Sequence, residues 1–184
     1  EAGTFLIAGA LSEYPVTVKN CLPSHLGSAL DKLREAGCEL EVGEDFITIN
    51  PPKVIKPFSI ITLPYPGFPT DLQAQFMVLA AFAEGMSFIE DTIFPERFMH
   101  VAELNRLQAD IRLDRNIATI KGVQKLSGAE VMATDLRASA ALVLAGMVAE
   151  GNTTISRIYH IDRGYDRIEE KLNSLGAKII RENG

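Results

Sequence analysis

Three stretches of this chain end a helix in the same way, and that recurrence restricts the possible folds more than any single motif. Leu33-Arg34-Glu35-Ala36-Gly37-Cys38, Leu104-Asn105-Arg106-Leu107-Gln108-Ala109 and Leu172-Asn173-Ser174-Leu175-Gly176-Ala177 set their first leucines 71 and 68 residues apart. Each is followed by a run that reads as a strand: Glu39 to Val42, Asp110 to Leu113, and Lys178 to Ile180. Gly37 and Gly176 stand where a helix takes a left-handed C-cap. A second match lies upstream. Thr70-Asp71-Leu72 opens an apolar helix that stops at Glu84-Gly85, and Thr134-Asp135-Leu136 opens one that stops at Glu150-Gly151. After each glycine comes a β-rich stretch, Ser87 to Ile89 and Thr153 to Ile155. The first copy shows only the tail of that helix, Gly3 to Leu11, before Val16 to Val18.

Periodicity supports the helices, since Leu72, Phe76 and Leu79 share one face, as do Tyr165, Ile168 and Leu172. Each unit therefore reads helix, strand, helix, strand. The first two add a further strand, Phe46 to Ile49 and Ile117 to Ile120; the third stops after Arg181 without one. The alternation predicts an α/β fold with helices packed on sheets. Units of residues 1–55, 56–123 and 124–184 would make up one domain, the last unit incomplete.

Composition narrows the function. A chain 47% hydrophobic and 23% charged is not disordered, and nothing in it approaches the ~20 apolar residues of a membrane helix. A net charge of -6 argues against a nucleic-acid binder, whose phosphate contacts need a basic surface. The charge is uneven: residues 1–96 carry a net -8 and residues 97–184 a net +2, which points to anion handling in the second half. Two cysteines, Cys21 and Cys38, are too few for a disulfide framework and lack metal spacing. Glu1-Ala2-Gly3 carries no basic segment of a signal peptide. The expectation is a reduced, soluble, cytoplasmic protein, needing no metal and no cofactor. The absence of an initial Met and the immediate apolar run read as a piece of something longer.

Two constellations could carry chemistry. Pro66-Gly67-Phe68-Pro69-Thr70-Asp71 makes a rigid approach to a helix whose Thr70 and Gln73 fit a capping box. Asp71 can equally be a carboxylate favoured by the helix dipole in the first turn, and the same reading applies to Asp135. Arg97, Arg137 and Arg163 form the second constellation. Arg97 and Arg163 each follow an acidic residue at the start of a unit's second helix, and Arg137 lies in the first turn of a first helix. Equivalent helix starts in a repeat fold face one rim, where arginines and free backbone N–H groups bind phosphate or carboxylate. The competing reading pairs them with Glu96, Asp135 and Asp162. His25, His100 and His160 show no metal spacing. No glycine-rich phosphate loop and no Ser-His-Asp arrangement is present.

Five blocks carry a resemblance over essentially the whole chain. They are Pro66 to Gln75, Arg97-Phe98-Met99-His100-Val101, Leu126-Ser127-Gly128-Ala129, Ala133 to Ala140, and Tyr159-His160-Ile161-Asp162-Arg163-Gly164-Tyr165. Together they resemble the C-terminal portion of the UDP-N-acetylglucosamine enolpyruvyl transferases, bacterial enzymes of the first committed step of peptidoglycan synthesis. The resemblance implies one of two similar domains, each an inside-out α/β barrel of three βαβαββ-type units, with the active site between them. It implies that the N-terminal segment of the full protein crosses back to complete this domain.

The implied reaction moves enolpyruvyl from phosphoenolpyruvate to the 3-hydroxyl of UDP-N-acetylglucosamine, through a tetrahedral intermediate that releases phosphate. Such chemistry needs a base at the hydroxyl, a proton donor to the enol carbon, and cations on phosphate and carboxylate. By resemblance Asp71 is the carboxylate at the sugar hydroxyl. Arg97, Arg137 and Arg163 line the phosphoenolpyruvate side, and the backbone of Ile93 contacts the UDP-sugar. The family's reactive Cys, Asp in some members, lies in the other part of the enzyme, so neither Cys21 nor Cys38 takes that role. The implied partners are the two substrates and the rest of the same enzyme, with no nucleic acid and no membrane. The alternatives are the sister enzyme acting on shikimate 3-phosphate and a non-catalytic ligand-binding module.

Overall fold

A computed structural model describes residues 1–182. Its elements run in chain order: α1 (Ala2–Ala10), β1 (Val16–Lys19), α2 (Gly27–Glu35), β2 (Glu39–Val42) and β3 (Phe46–Asn50). Then come β4 (Ser59–Ile61), α3 (Gln73–Ala80), β5 (Met86–Glu90), α4 (His100–Arg106), β6 (Asp110–Asp114) and β7 (Ile117–Lys121). Last are β8 (Glu130–Met132), α5 (Leu136–Val148), β9 (Thr154–Ser156) and α6 (Ile168–Ser174). The architecture is α/β, in three separate sheets rather than one closed barrel.

The three sheets differ in size and pairing. In the second, the order is β4-β5-β7-β6, with β4 parallel to β5 and the other pairs antiparallel. The first sheet is β1-β3-β2 and the third is β8-β9, a parallel pair. Alternation sets their buried faces: Ile47 and Ile49 on β3, Ser87 and Ile89 on β5, and Ala118 and Ile120 on β7 are sealed from solvent. β4 and β8 have no counterpart in the pattern of the sequence.

Two kinds of helix result. α1, α3 and α5 pack against one another at the centre. α3 buries all eight of its residues, so the single apolar face expected from Leu72, Phe76 and Leu79 understates it. A helix apolar all round is a core helix. α2, α4 and α6 are amphipathic and cover the outside, burying Leu30 and Leu33, Val101 and Leu104, and Ile168 and Leu172.

The matched helix ends are structurally alike. The N–H of Cys38, Ala109 and Ala177 donates to the carbonyl of Leu33, Leu104 and Leu172, at 3.0, 3.1 and 3.1 Å. This closure needs a left-handed residue before it. Gly37 and Gly176 supply it at φ 101 and 100°, and Gln108 at 70°. Beyond two of these ends an asparagine clasps the backbone six residues on. Asn105 bonds both N–H and C=O of Ile111, and Asn173 does the same to Ile179. Yet Lys178 to Ile180, expected as a strand, forms none. The reason is the neighbour: Ile111 pairs with Ile120 on β7, whereas no strand lies beside Ile179 among the described residues.

Candidate active site

Asp71 owes its position to a loop nailed into the core. Phe68 is buried and packs edge-on against Phe76 of α3, ring centroids 4.9 Å apart, while Pro69 holds an extended backbone. Residues Thr70–Leu72 then form one 3₁₀ turn leading into α3. The expected capping box is not made. Thr70 donates its hydroxyl to Asp91 Oδ2 at 2.6 Å instead of capping, and the start of α3 has no side-chain cap.

The two aspartates read alike from sequence diverge here. Asp135 is the N-cap of α5, accepting from the N–H of Arg137 at 2.7 Å and of Ala138 at 3.0 Å. It does what helix capping requires. Asp71 caps nothing. Its Oδ1 accepts from Arg137 Nε at 2.8 Å and pairs with Arg137 Nη2 at 2.7 Å, and Arg97 Nη1 donates to it at 3.3 Å. Among the described residues Oδ2 has no partner, and more than half of the side chain is exposed. The Asp71 hydrogen bond holds the Arg137 guanidinium protonated more firmly than usual, against a smaller opposing effect of burial. Arg97 is further fixed by Thr70 Oγ1 at 3.2 Å and by the Phe94 ring, 3.9 Å beneath its guanidinium carbon.

The pairings once set against an anion site, with Glu96, Asp135 and Asp162, are not those observed. Asp162 is taken by Arg181, which bonds it twice and Glu169 twice. That hydrogen bonding holds Asp162 below the usual carboxylate range. Arg163 is exposed, ends a 3₁₀ turn over Ile158–Arg163, and forms no ion pair among the described residues. Neither Arg97 nor Arg163 lies in a helix start: Arg97 precedes α4 by three residues and Arg163 precedes α6 by five. Only Arg137 does. Two of the three arginines meet at Asp71, and Arg163 does not.

A cavity of about 510 Å³ opens here. The starts of α1, α3 and α5 line it through Gly3 and Thr4, Asp71 and Leu72, and Leu136 and Arg137. Gly164 and Tyr165, the neighbours of Arg163, complete one wall, and Asn20, Cys21 and His25 another. Beneath it, Thr4 Oγ1 and the Tyr165 hydroxyl lie 2.7 Å apart, with Gln75 Nε2 3.2 Å from Thr4. A second hollow of about 450 Å³ lies between Ile93–Arg97, Met99 and Asp135. Cys21 and Cys38 are unpaired; burial pushes the Cys38 thiol up to about 11, which leaves it inert at neutral pH.

Sequence reasoning missed Asp91, which is sealed from solvent beside Thr62 and Thr70. Its one local signal is an Asp two and three residues before N–H groups that its side chain can accept from, Ile93 and Phe94.

Among the described residues no helix is long and apolar enough to cross a membrane. Comparison with known proteins agrees with the resemblance in the sequence. The chain is 56% identical over 182 residues, 99% of its length, to a UDP-N-acetylglucosamine 1-carboxyvinyltransferase of Sulfurovum sp.. It is 57% identical over 181 residues to the protein of that name in Nitratiruptor sp.. It spans 43% of the length of each of these relatives. The enolpyruvyl transferase NikO from Streptomyces tendae superposes with a TM-score of 0.88 at 29% identity, over 96% of this chain and 42% of that one. EPSP synthase from Acinetobacter baumannii superposes with a TM-score of 0.73 at 17% identity, over 98% of this chain and 43% of its own; this is a likeness of fold alone. The sequence model of the EPSP synthase (3-phosphoshikimate 1-carboxyvinyltransferase) family matches residues 1–172, and this chain is therefore a member of that family.

Proposed function

We propose that the chain is part of a transferase that moves enolpyruvyl from phosphoenolpyruvate to the 3-hydroxyl of UDP-N-acetylglucosamine in the cytoplasm, opening peptidoglycan synthesis. The observation that carries the reading is Asp71, which lines the cavity: one carboxylate oxygen is gripped by two guanidinium groups, and the other has no partner among the described residues. A carboxylate so held has one orientation and a vacant lone pair for a hydroxyl proton. The arginines beside it are forks suited to phosphate and carboxylate. The sister activity on shikimate 3-phosphate is less well supported, since EPSP synthase is similar at 17% identity and the UDP-sugar enzymes at 56 and 57%.

In this reading the sugar oxygen bonds to C2 of phosphoenolpyruvate while Asp71 takes its proton, and C3 receives a proton from an acid elsewhere in the full-length protein. Loss of a C3 proton then expels phosphate and restores the double bond. Arg97 and Arg137 hold the phosphoenolpyruvate anion, and Arg163, exposed and without an ion pair among the described residues, joins them when substrate arrives. Ile93 already gives its N–H to Asp91, so its carbonyl is the group left to meet the sugar. The fold reading goes with this one: the three sheets are copies of one βαβαββ unit, divided near residues 1–55, 56–123 and 124–184 around inward-facing helices. The rest of the full-length protein completes that domain and supplies the second wall of the cleft.

Asp71→Asn in the full-length protein tests the proposal. It keeps the shape and removes the proton acceptor, and turnover should fall roughly 10²–10⁴-fold, the scale of a general base. Near-normal turnover would return Asp71 to a role at the helix start.

A further inference from the structure

The carboxylate of Asp91 does more than a buried turn requires. It is fully enclosed, and it accepts four hydrogen bonds that converge from three parts of the chain. Oδ1 accepts from Thr62 Oγ1 at 2.8 Å, from the N–H of Ile93 at 3.0 Å and from that of Phe94 at 2.8 Å. Oδ2 accepts from Thr70 Oγ1 at 2.6 Å. Thr62 follows β4, Asp91 follows β5, and Thr70 opens the turn that carries Asp71. One side chain thus ties two parallel strand ends to the loop bearing Ile93 and Arg97 and to the residue before Asp71.

The bonds have a direction. Thr70 owns one hydroxyl proton and gives it to Asp91, so only its lone pairs face Arg97 Nη1, which donates to it at 3.2 Å. The chain of donation runs from Arg97 to Thr70 to Asp91 and ends on a charge. Burial pushes the Asp91 carboxyl up, but the bonds from Phe94, Thr70, Thr62 and Ile93 outweigh it and hold it below the usual carboxylate range.

The fold provides its own comparison. β1 and β9 run into 3₁₀ turns, and the residues that follow them are Asn20 and Arg157, both left-handed at φ 55 and 59°. Asp91 is not left-handed and leads into the loop before α4, so its strand exit is built differently from those two. What distinguishes the Asp91 site is that its partners adjoin Asp71, Ile93 and Arg97.

We infer that Asp91 is a positioning residue, which sets the loop of Ile93 and Arg97 against Asp71 through Thr70. This rests on the reading of Asp71 and Arg97 as site residues. Asparagine at 91 would turn an N–H₂ group either toward the two backbone N–H groups or toward Thr70. In the first case donors face donors; in the second Thr70 loses its acceptor.

The test uses the full-length protein with phosphoenolpyruvate and UDP-N-acetylglucosamine. Asp91→Asn should unfold cooperatively yet lose roughly 10² in kcat/KM, the scale of a misplacement near 1 Å. Asp91→Glu, which keeps the charge, should recover part of that loss. Thr70→Val removes the bond it gives to Asp91 Oδ2 and the one it accepts from Arg97, but leaves the Oδ1 bonds from Ile93 and Phe94. It should raise KM for phosphoenolpyruvate and move the amide ¹H shifts of Ile93 and Phe94 less than Asp91→Asn does. Unchanged kinetics in folded Asp91→Asn or in Thr70→Val, beside impaired Asp71→Asn and Arg97→Ala, would overturn the positioning role alone. Unimpaired Asp71→Asn and Arg97→Ala would instead sink the reading of the site.

Discussion

His100 illustrates how one residue can set a property of the whole chain. It opens α4 with 1% of its surface exposed, near-parallel to the Phe98 ring, and its Nε2 has no partner among the described residues. Burial lowers its pKa to about 4, only partly offset by the charges of Asp135 and Asp91. In the unfolded chain it takes a proton near pH 6.5. Between those values the unfolded state holds more protons, so stability is lost as pH falls from about 6.5 to about 4, by up to about 3 kcal/mol. Asp91, also held low, loses its stabilising charge only further down, below the ordinary Asp range. Urea unfolding of His100→Leu at pH 7 and pH 4.5 should show a shallower pH dependence than the parent. An unchanged slope would acquit His100. None of this is visible in the sequence, where His100 is one of three histidines without metal spacing.

Between elements, close approach decides what is tolerated. Gly122 follows β7 and passes the end of α3 so closely that a Cβ would lie 2.8 Å from the backbone carbon of Ala83, and closer still to its carbonyl oxygen. The N–H of Gly122 bonds Gly85, and that of Val123 bonds Ala81, so the chain is pinned there. Gly122→Ala should cost about 1–3 kcal/mol, the range for overpacking, seen as a lower melting temperature. Gly27 makes the contrast: it lies in α2 with nothing within 4 Å of its Cβ position. Gly27→Ala should stabilise by about 0.5–1 kcal/mol. If both glycines respond alike, the contact with Ala83 does not hold the connection.

At the scale of the molecule, the exposed half of Asp71 matters most. Asp71 lines a cavity bounded by the starts of α1, α3 and α5 and by Asn20, Cys21, His25, Gly164 and Tyr165, in a chain that spans 43% of the relatives it resembles. A tetrahedral intermediate needs an acid for the enol carbon and a site closed to water. The 184-residue chain by itself should release no phosphate from phosphoenolpyruvate and UDP-N-acetylglucosamine above background in a coupled phosphate assay. Turnover near that of the full-length protein would show that the proposed second wall is not needed.

What could be read from the sequence was local. The three helix ends, the left-handed Gly37 and Gly176 and the strands β2, β3, β6 and β7 follow from residues a few positions apart, because capping and pleating act over that range. The same reasoning proposed a strand at Lys178 to Ile180 and a capping box at Thr70, where the outcome depended on a neighbour it could not supply. Asp71 and Asp135 look equivalent as Thr-Asp-Leu, yet one caps its helix and the other meets arginines 26 and 66 positions away. Asp91 draws its hydroxyl partners from 29 and 21 positions upstream. Which carboxylate becomes a cap, a tether or a site residue was settled by the tertiary structure, because a charged group takes the partners that packing brings within about 3 Å.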